Sequence, residues 1–344
     1  MRAAVVEGPG QLVVRDMPIP TPGPYEALCE LAYGATCSGT DWHIVDGNFP
    51  YCSPLPTVIG HESVGRVVEL GAKVRHLRVG DLVTRVGTPA APELGLSVTW
   101  GGFAEYGLAR DWWAMAADGL PAEQWMGHRV NQVVPHGVDP RVAPMFTTWR
   151  ETLSYLTRLG FRAGQSILVV GSGGNGLSYS AHARNLGAAS VAMVGSAALA
   201  EPAQALGGVD VYLDYRRDDL GAALAAALPG GVDLIIDAVG RKSVADQVLS
   251  LLKPGGQYGT YGIDDLGQIR LDPARARGSF TVHGGGNYDE AETHQRVSEA
   301  VMCGKLDARL WYDLDAAWPL ERIREGFDAV RARQTVKALI ELKG

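Results

Sequence analysis

Residues 166 to 176 read Ser-Ile-Leu-Val-Val-Gly-Ser-Gly-Gly-Asn-Gly, an apolar, β-branched run that empties into Gly171-x-Gly173-x-x-Gly176. Ile167 to Val170 have the composition of a buried strand, and the segment after the glycines, LSYSAHARNLG, has that of a helix. In a strand–turn–helix of this kind the first glycine permits the reversal. The second lets backbone amides approach a pyrophosphate, and the third lets the helix pack on the strand. The phosphates then sit at the helix N-terminus, where unpaired N–H groups and the dipole favour negative charge. The turn Gly171, Gly173, Gly174, Asn175 and Gly176 therefore predicts dinucleotide binding.

Working outward, the period changes near residue 145. Before it, AAVVE, LVVRD, EALCELAYG, SVGRVVELG and DLVTRVG are short strand-like runs broken by Gly, Pro and Asp. After it, helical and strand-like segments alternate through SVAMVG, VDVYLDY, VDLIIDAVG, GGQYGTYG and SFTVHGG, as in a doubly wound parallel sheet. The last fifty residues return to helix, turn, helix and a closing strand, TVKALIEL. The expectation is an α/β chain in three stretches: a β-rich domain over 1–144, a Rossmann domain over 145–290, and a return to the β-rich domain over 291–344.

Composition narrows the classes of function. The chain has 344 residues, 46% of them hydrophobic and 20% charged, which is enough for about two domains. A net charge of −7 and a pI near 5.6 speak against nucleic acid or an anionic membrane as partner. No apolar run reaches the roughly 18 residues of a spanning helix. The cysteines (Cys29, Cys37, Cys52, Cys303) are too sparse for a disulfide framework, so a reducing, cytoplasmic setting is expected.

The β-rich part concentrates reactive side chains. Thr36-Cys-Ser-Gly-Thr-Asp-Trp-His43 is followed by Gly60-His-Glu62, Val79-Gly-Asp-Leu-Val83 and Gly101-Gly-Phe-Ala-Glu-Tyr106. Together with the glycine turn, Asp233-Leu-Ile-Ile-Asp-Ala-Val-Gly240 and Lys253-Pro-Gly-Gly256, these segments resemble the medium-chain dehydrogenase/reductase superfamily, in particular its zinc alcohol and polyol dehydrogenases. The resemblance runs nearly end to end. It implies a GroES-like catalytic domain beside the Rossmann domain, and reversible hydride transfer between an alcohol carbon and a nicotinamide. It also implies that Val239 and Gly240 join the glycine turn in holding the cofactor.

Carried over by position, Thr40 is the relay hydroxyl and His43 the terminal proton acceptor, while His61 and Glu62 are the pair that holds zinc or the substrate oxygen. The metal site departs from the family pattern, because Ser38 stands where the family's Cys-x-Thr-Asp segment has its ligand cysteine. Cys37 lies one residue early, and a one-residue shift along a strand reverses a side chain unless the backbone bulges. Ala143 falls where a further cysteine would stand, with Glu151 as a nearby substitute. Two states stay open: a thinned zinc site of His61, Glu62 and Cys37 or Ser38, or a site without zinc in which His61 and Glu62 touch substrate. A second, structural zinc is not expected, since residues 85–101 contain no cysteine.

At the end of the second nucleotide-domain strand, where an NAD-preferring enzyme carries an acid, stand Gly195 and Ser196. The missing acid favours NADP over NAD, although Arg216 and Arg217 are the nearest later cations. The sequence thus predicts an NAD(P)-dependent oxidoreductase acting on a polar secondary alcohol or ketone such as a polyol, sugar or cyclitol. Its alternative is a zinc-free NADPH-dependent reductase of an enone or quinone. A third reading is a catalytically silent nucleotide-binding protein on the same fold. By analogy alone, Gly284 to Asn287 lie where relatives meet in a homodimer or homotetramer. Trp112, Trp113 and Trp125, in a segment foreign to the family pattern, fit either a sugar pocket or plain packing.

Overall fold

The computed structural model describes residues 1–265 and 268–343. The chain divides into two compact units: Met1–Thr147 with His294–Gly304 and Trp311–Gly344, and Thr148–Thr293 with Lys305–Leu310. The sequence places its changes of period at 144/145 and 290/291. The division here falls at 147/148 and 293/294, with Lys305–Leu310 grouped into the second unit.

The second unit is a six-stranded parallel sheet. In spatial order its strands are Val211–Asp214, Ser190–Gly195, Ser166–Val170, Val232–Asp237, Leu252–Thr260 and Thr281–Gly284. Numbered along the chain this is 3-2-1-4-5-6, the doubly wound order whose direction reverses beside the first strand. Ser166–Val170 is buried along its whole length, as a central strand covered on both faces must be. Alternate residues Leu168 and Val170 enter one layer with Val194, Leu224, Ile235 and Tyr258. Each such aliphatic side chain contributes about 1.5–3 kcal/mol of burial.

The first unit is built on two sheets. One is ordered Gln11–Asp16, Arg2–Gly8, Thr57–Val58, Ser97–Val98. The other runs Trp318–Pro319, Leu339–Glu341, Glu26–Ala35, Glu62–Leu70, Leu82–Thr84, with Tyr106–Arg110 also on Glu26–Ala35. The long strand Glu26–Ala35 carries two register shifts, at Leu28/Cys29 and Leu31/Tyr33. It ends with Ala35 between Glu62 on one side and Leu339 on the other. That register places the ends of three segments, remote in sequence, at one point.

Phe103 explains two of the sequence motifs. It is fully buried in a core shared with Ile44, Val45, Phe327 and Ile340. Gly60, at φ +100°, has no room for a side chain: a Cβ there would lie 2.6 Å from Phe103 Cγ. The Phe of GGFAEY thus packs on the Gly of GHE and sets where His61 and Glu62 emerge. Among the described residues, no helix is long and apolar enough to cross a membrane.

Candidate active site

The helix Ser38–Val45 opens the site in the first unit. Cys37 is its N-cap residue, and Asp41, four residues on, accepts the Cys37 backbone N–H at 2.7 Å. This side-chain cap satisfies an otherwise orphaned helix-start donor and fixes the first turn. It also bears on Cys37 and Ser38 as alternatives. Cys37 is the extended residue before the helix and Ser38 the first residue within it. Cys37 is turned inward and buried, while Ser38 is exposed. On the helix, Cys37 and Thr40 stand three residues apart on one face, with Cys37 Sγ donating to Thr40 Oγ1 at 3.6 Å. His43, another three residues on, has Nδ1 at 2.7 Å from Asn48 Oδ1.

Cys37, His61 and Glu62 converge, with one ligand atom of each within 4.8 Å of the others and all three side chains buried. His61 Nδ1 lies 3.5 Å from Asp41 Oδ1, and neither atom hydrogen-bonds any described residue. Burial alone would lower the His61 pKa. Asp41 and Cys37 outweigh it and hold the imidazole well above its ordinary value. This donor set fits zinc, which takes thiolate, imidazole and carboxylate. A ligating histidine turns its other ring nitrogen to a carboxylate, and Asp41 stands where that carboxylate is needed. Glu151, the other substitute ligand, belongs to the second unit, where Tyr261 Oη donates to it at 3.1 Å.

Lys337 is the site residue that sequence reasoning missed. Its Nζ donates to both carboxylate oxygens of Glu62, at 2.6 and 2.7 Å, and to the Thr36 carbonyl at 3.1 Å. Both side chains are 2% exposed. Burial works against the ammonium, yet Glu62 more than compensates and raises the Lys337 pKa. The signal was present as a lone lysine in the apolar run TVKALIEL. What spacing could not show is the register that lays Leu339 beside Ala35.

A cavity of about 380 Å³ borders His61 in the same unit, lined also by Arg85, Thr88, Trp100, Arg110, His128 and Asn131. Arg110 gives Nε to Glu26 at 2.9 Å and places Nη1 2.5 Å from His128 Nε2. Burial first, and then the Arg110 charge, push the His128 pKa down to about 4. A folded value below the unfolded one of about 6.5 means that this stabilisation is complete above pH 6.5 and is lost as pH falls towards 4. Wild-type Tm is therefore expected to fall more steeply over that interval than the Tm of His128→Gln. Parallel calorimetric profiles for the two proteins would refute this.

Other aromatic residues pack on one another. Trp112 stacks on Trp113 at 4.2 Å and on Trp125 at 6.1 Å, so the rings cover one another, as in packing. Trp42 packs on Phe327 and lies under Arg331, which also pairs with Asp46.

In the second unit, Gly171 stands at φ +108° and the helix Gly174–Asn185 begins directly after Gly173. A Cβ on Gly176 would overlap the Gly171 carbonyl, so only glycine lets the helix seat on the turn. Leu177 N bonds Gly173 O at 3.1 Å, and the amides of the turn precede that bond at the end where phosphates are held. Asp237 Oδ1 accepts the amides of Val239 and Gly240 at 2.9 and 2.8 Å, which shapes the neighbouring loop. At Gly195 the space of a side chain is filled by Tyr212 Oη and Ser172. Ser196 N donates to Ser172 Oγ at 3.0 Å. Tyr215 N bonds the Gly195 carbonyl at 3.1 Å, and the Arg216 guanidinium covers the Tyr215 ring at 5.3 Å. Arg217 is paired with Asp219.

A dinucleotide turn on a 3-2-1-4-5-6 sheet, together with a buried thiol, imidazole and carboxylate in a β-rich unit, defines an oxidoreductase that works with a nicotinamide cofactor. Comparison with known proteins agrees. Residues 23–119 match the alcohol dehydrogenase GroES-like domain family, and residues 174–300 match the zinc-binding dehydrogenase family. The chain is 27% identical to L-galactonate-5-dehydrogenase of Escherichia coli (strain K12), over 99% of this chain and 98% of that protein. It is also 27% identical to sorbitol dehydrogenase of Halalkalibacterium halodurans, over 77% of each. A zinc-binding dehydrogenase from Sinorhizobium meliloti 1021, solved with NADP, superposes with a TM-score of 0.79 at 26% identity, covering 99% of this chain and 98% of that one. The chain belongs to the medium-chain dehydrogenase/reductase superfamily, as an NAD(P)-dependent alcohol dehydrogenase with a GroES-like and a Rossmann domain.

Proposed function

We propose that the enzyme interconverts a secondary alcohol and a ketone on a polyhydroxylated substrate, using zinc at Cys37, His61 and Glu62 and NADP in preference to NAD. The buried convergence of Cys37, His61 and Glu62 beside Thr40 carries this reading. The names of the sorbitol, L-galactonate and D-arabinitol dehydrogenases among its relatives support a polyol or sugar-derived substrate. Gly195, Ser196 and the stacked Arg216 support NADP, since neither 195 nor 196 is an acid and Arg216 follows closely on Asp214, the strand partner of Gly195.

Bound zinc would act as a Lewis acid on the substrate oxygen, and the nicotinamide would accept the hydride. The remaining steps belong to the chain's own side chains. Thr40 accepts the substrate hydroxyl proton at Oγ1 as it gives up its own. His43, on the same helix face, is the terminal acceptor at Nε2 and releases the proton to solvent, while Asn48 holds Nδ1. Lys337 holds the Glu62 carboxylate by both oxygens and so limits how far it swings towards His61.

The test is elemental analysis of protein purified without chelator, alongside assays on polyols and enones with each cofactor. About one zinc per chain, lost in His61→Ala, is expected with polyol-dependent NADP⁺ reduction. Thr40→Val should lower kcat by about 10²–10⁴-fold. Wild type without zinc that reduces enones and ignores alcohols would overturn the reading.

A further inference from the structure

Trp100 is a bulky residue in the left-handed region, at φ +65°, and its side chain is nonetheless 42% exposed. Such a conformation costs a large residue about 1–3 kcal/mol and persists only where the surroundings impose it. Here they do. Thr99 N bonds Val58 O at 2.8 Å and Gly102 N bonds Gly60 O at 2.7 Å, so the backbone on both sides is tied to the segment leading into His61. The Trp100 carbonyl also rests where a Cβ of residue 87 would be, and residue 87 is glycine. Core packing does not explain an exposed indole held at this cost. Its position does. The ring lies 5.0 Å from the His61 ring, centroid to centroid, and Phe49 and Tyr51 continue the aromatic surface outward.

The same indole is a wall of the cavity of about 380 Å³ that borders His61, a volume in the range of small-molecule sites. Away from the indole the lining mixes apolar residues such as Val86, Val98 and Leu108 with polar ones. Thr88 and Asn131 stand with Arg110, whose Nη2 hydrogen-bonds no described residue after Nε and Nη1 have gone to Glu26 and His128. A His128 held neutral leaves the Arg110 charge in place beside it. An aromatic wall in the same cavity as the Arg110 and Thr88 hydrogen-bonding groups suits a carbon chain that bears both C–H and hydroxyl groups.

We propose that this cavity is the subsite for the hydroxylated tail of the substrate, with Trp100 its specificity-determining wall, which selects polyols of five or six carbons over short secondary alcohols. The subsite rests on the polyol reading above for the identity of the reacting end. The tail's C–H face lies against the indole and its hydroxyls meet Arg110 and Thr88.

The test is titration calorimetry of wild type, Trp100→Gly and Trp100→Phe, with NADP⁺ present, against xylitol, sorbitol, galactitol and 2-butanol. Glycine is the natural residue for φ +65°, so Trp100→Gly removes the wall and relieves the backbone together. Wild type should bind at least one of the polyols. Trp100→Gly should weaken that binding by about tenfold or more, while Trp100→Phe stays within about threefold and 2-butanol is unchanged. Equal polyol affinity in wild type and Trp100→Gly, equal loss for polyol and 2-butanol, or no polyol bound by wild type would each overturn the subsite. Polyol binding that depends on Trp100 but is never followed by NADP⁺ reduction would leave the subsite standing and overturn the dehydrogenase chemistry on polyols.

Discussion

Lys337→Met is expected to destabilise the fold by about 3–5 kcal/mol, the cost of leaving one partner of a buried ion pair alone. Glu62 keeps its carboxylate at 2% exposure, and Lys337 supplies bonds to both of its oxygens. Removing the ammonium leaves Glu62 charged and poorly solvated, or protonates it. Either outcome disturbs His61, whose Nε2 lies 3.9 Å from Glu62 Oε1. The double variant Lys337→Met with Glu62→Leu should recover most of the loss, because replacing both members of such a pair by apolar groups is close to neutral. Urea denaturation of the three proteins measures this. A single variant within about 1 kcal/mol of wild type would show that the pair is hydrated and weak.

Gly176→Ala is expected to weaken NADPH binding by about 100-fold, near the upper end of what overpacking costs. The added methyl falls on the Gly171 carbonyl, so both clashing groups are backbone and neither has a rotamer to escape by. The helix Gly174–Asn185 must then lift off the turn, and its amides leave the place where a pyrophosphate is held. NADPH fluorescence titration reads the change. Affinity equal to wild type would mean that the phosphates are not bound at this turn.

The doubly wound unit was legible because its signal is local. A buried β-branched strand, three glycines and a helix start lie within about twenty residues, and each has one physical role. The motifs GHE and GGFAEY were legible as motifs, but their reason was not. Only the packed structure shows Phe103 against Gly60. Spacing could not show which of Cys37 and Ser38 turns inward, since that depends on where the helix begins. The bond from Cys37 N to Asp41 fixes that start, with Cys37 buried and Ser38 exposed. Lys337 was invisible for another reason, because its partner Glu62 is 275 residues away. Pairings at that separation follow from strand register, which short motifs do not encode. The tryptophans of the 112–125 segment were compatible with a sugar pocket by composition, and the ring stacking favours packing. Trp100, unremarked in the sequence, stands at the cavity instead.

The closing strand Leu339–Glu341 lies against Glu26–Ala35, so the β-rich half is closed by residues made at opposite ends of synthesis. All six strands of the nucleotide-binding sheet precede that closing strand along the chain. The ammonium that holds both Glu62 oxygens is therefore supplied after that sheet. In the order of synthesis, the dinucleotide turn comes before the last contact of the reactive centre.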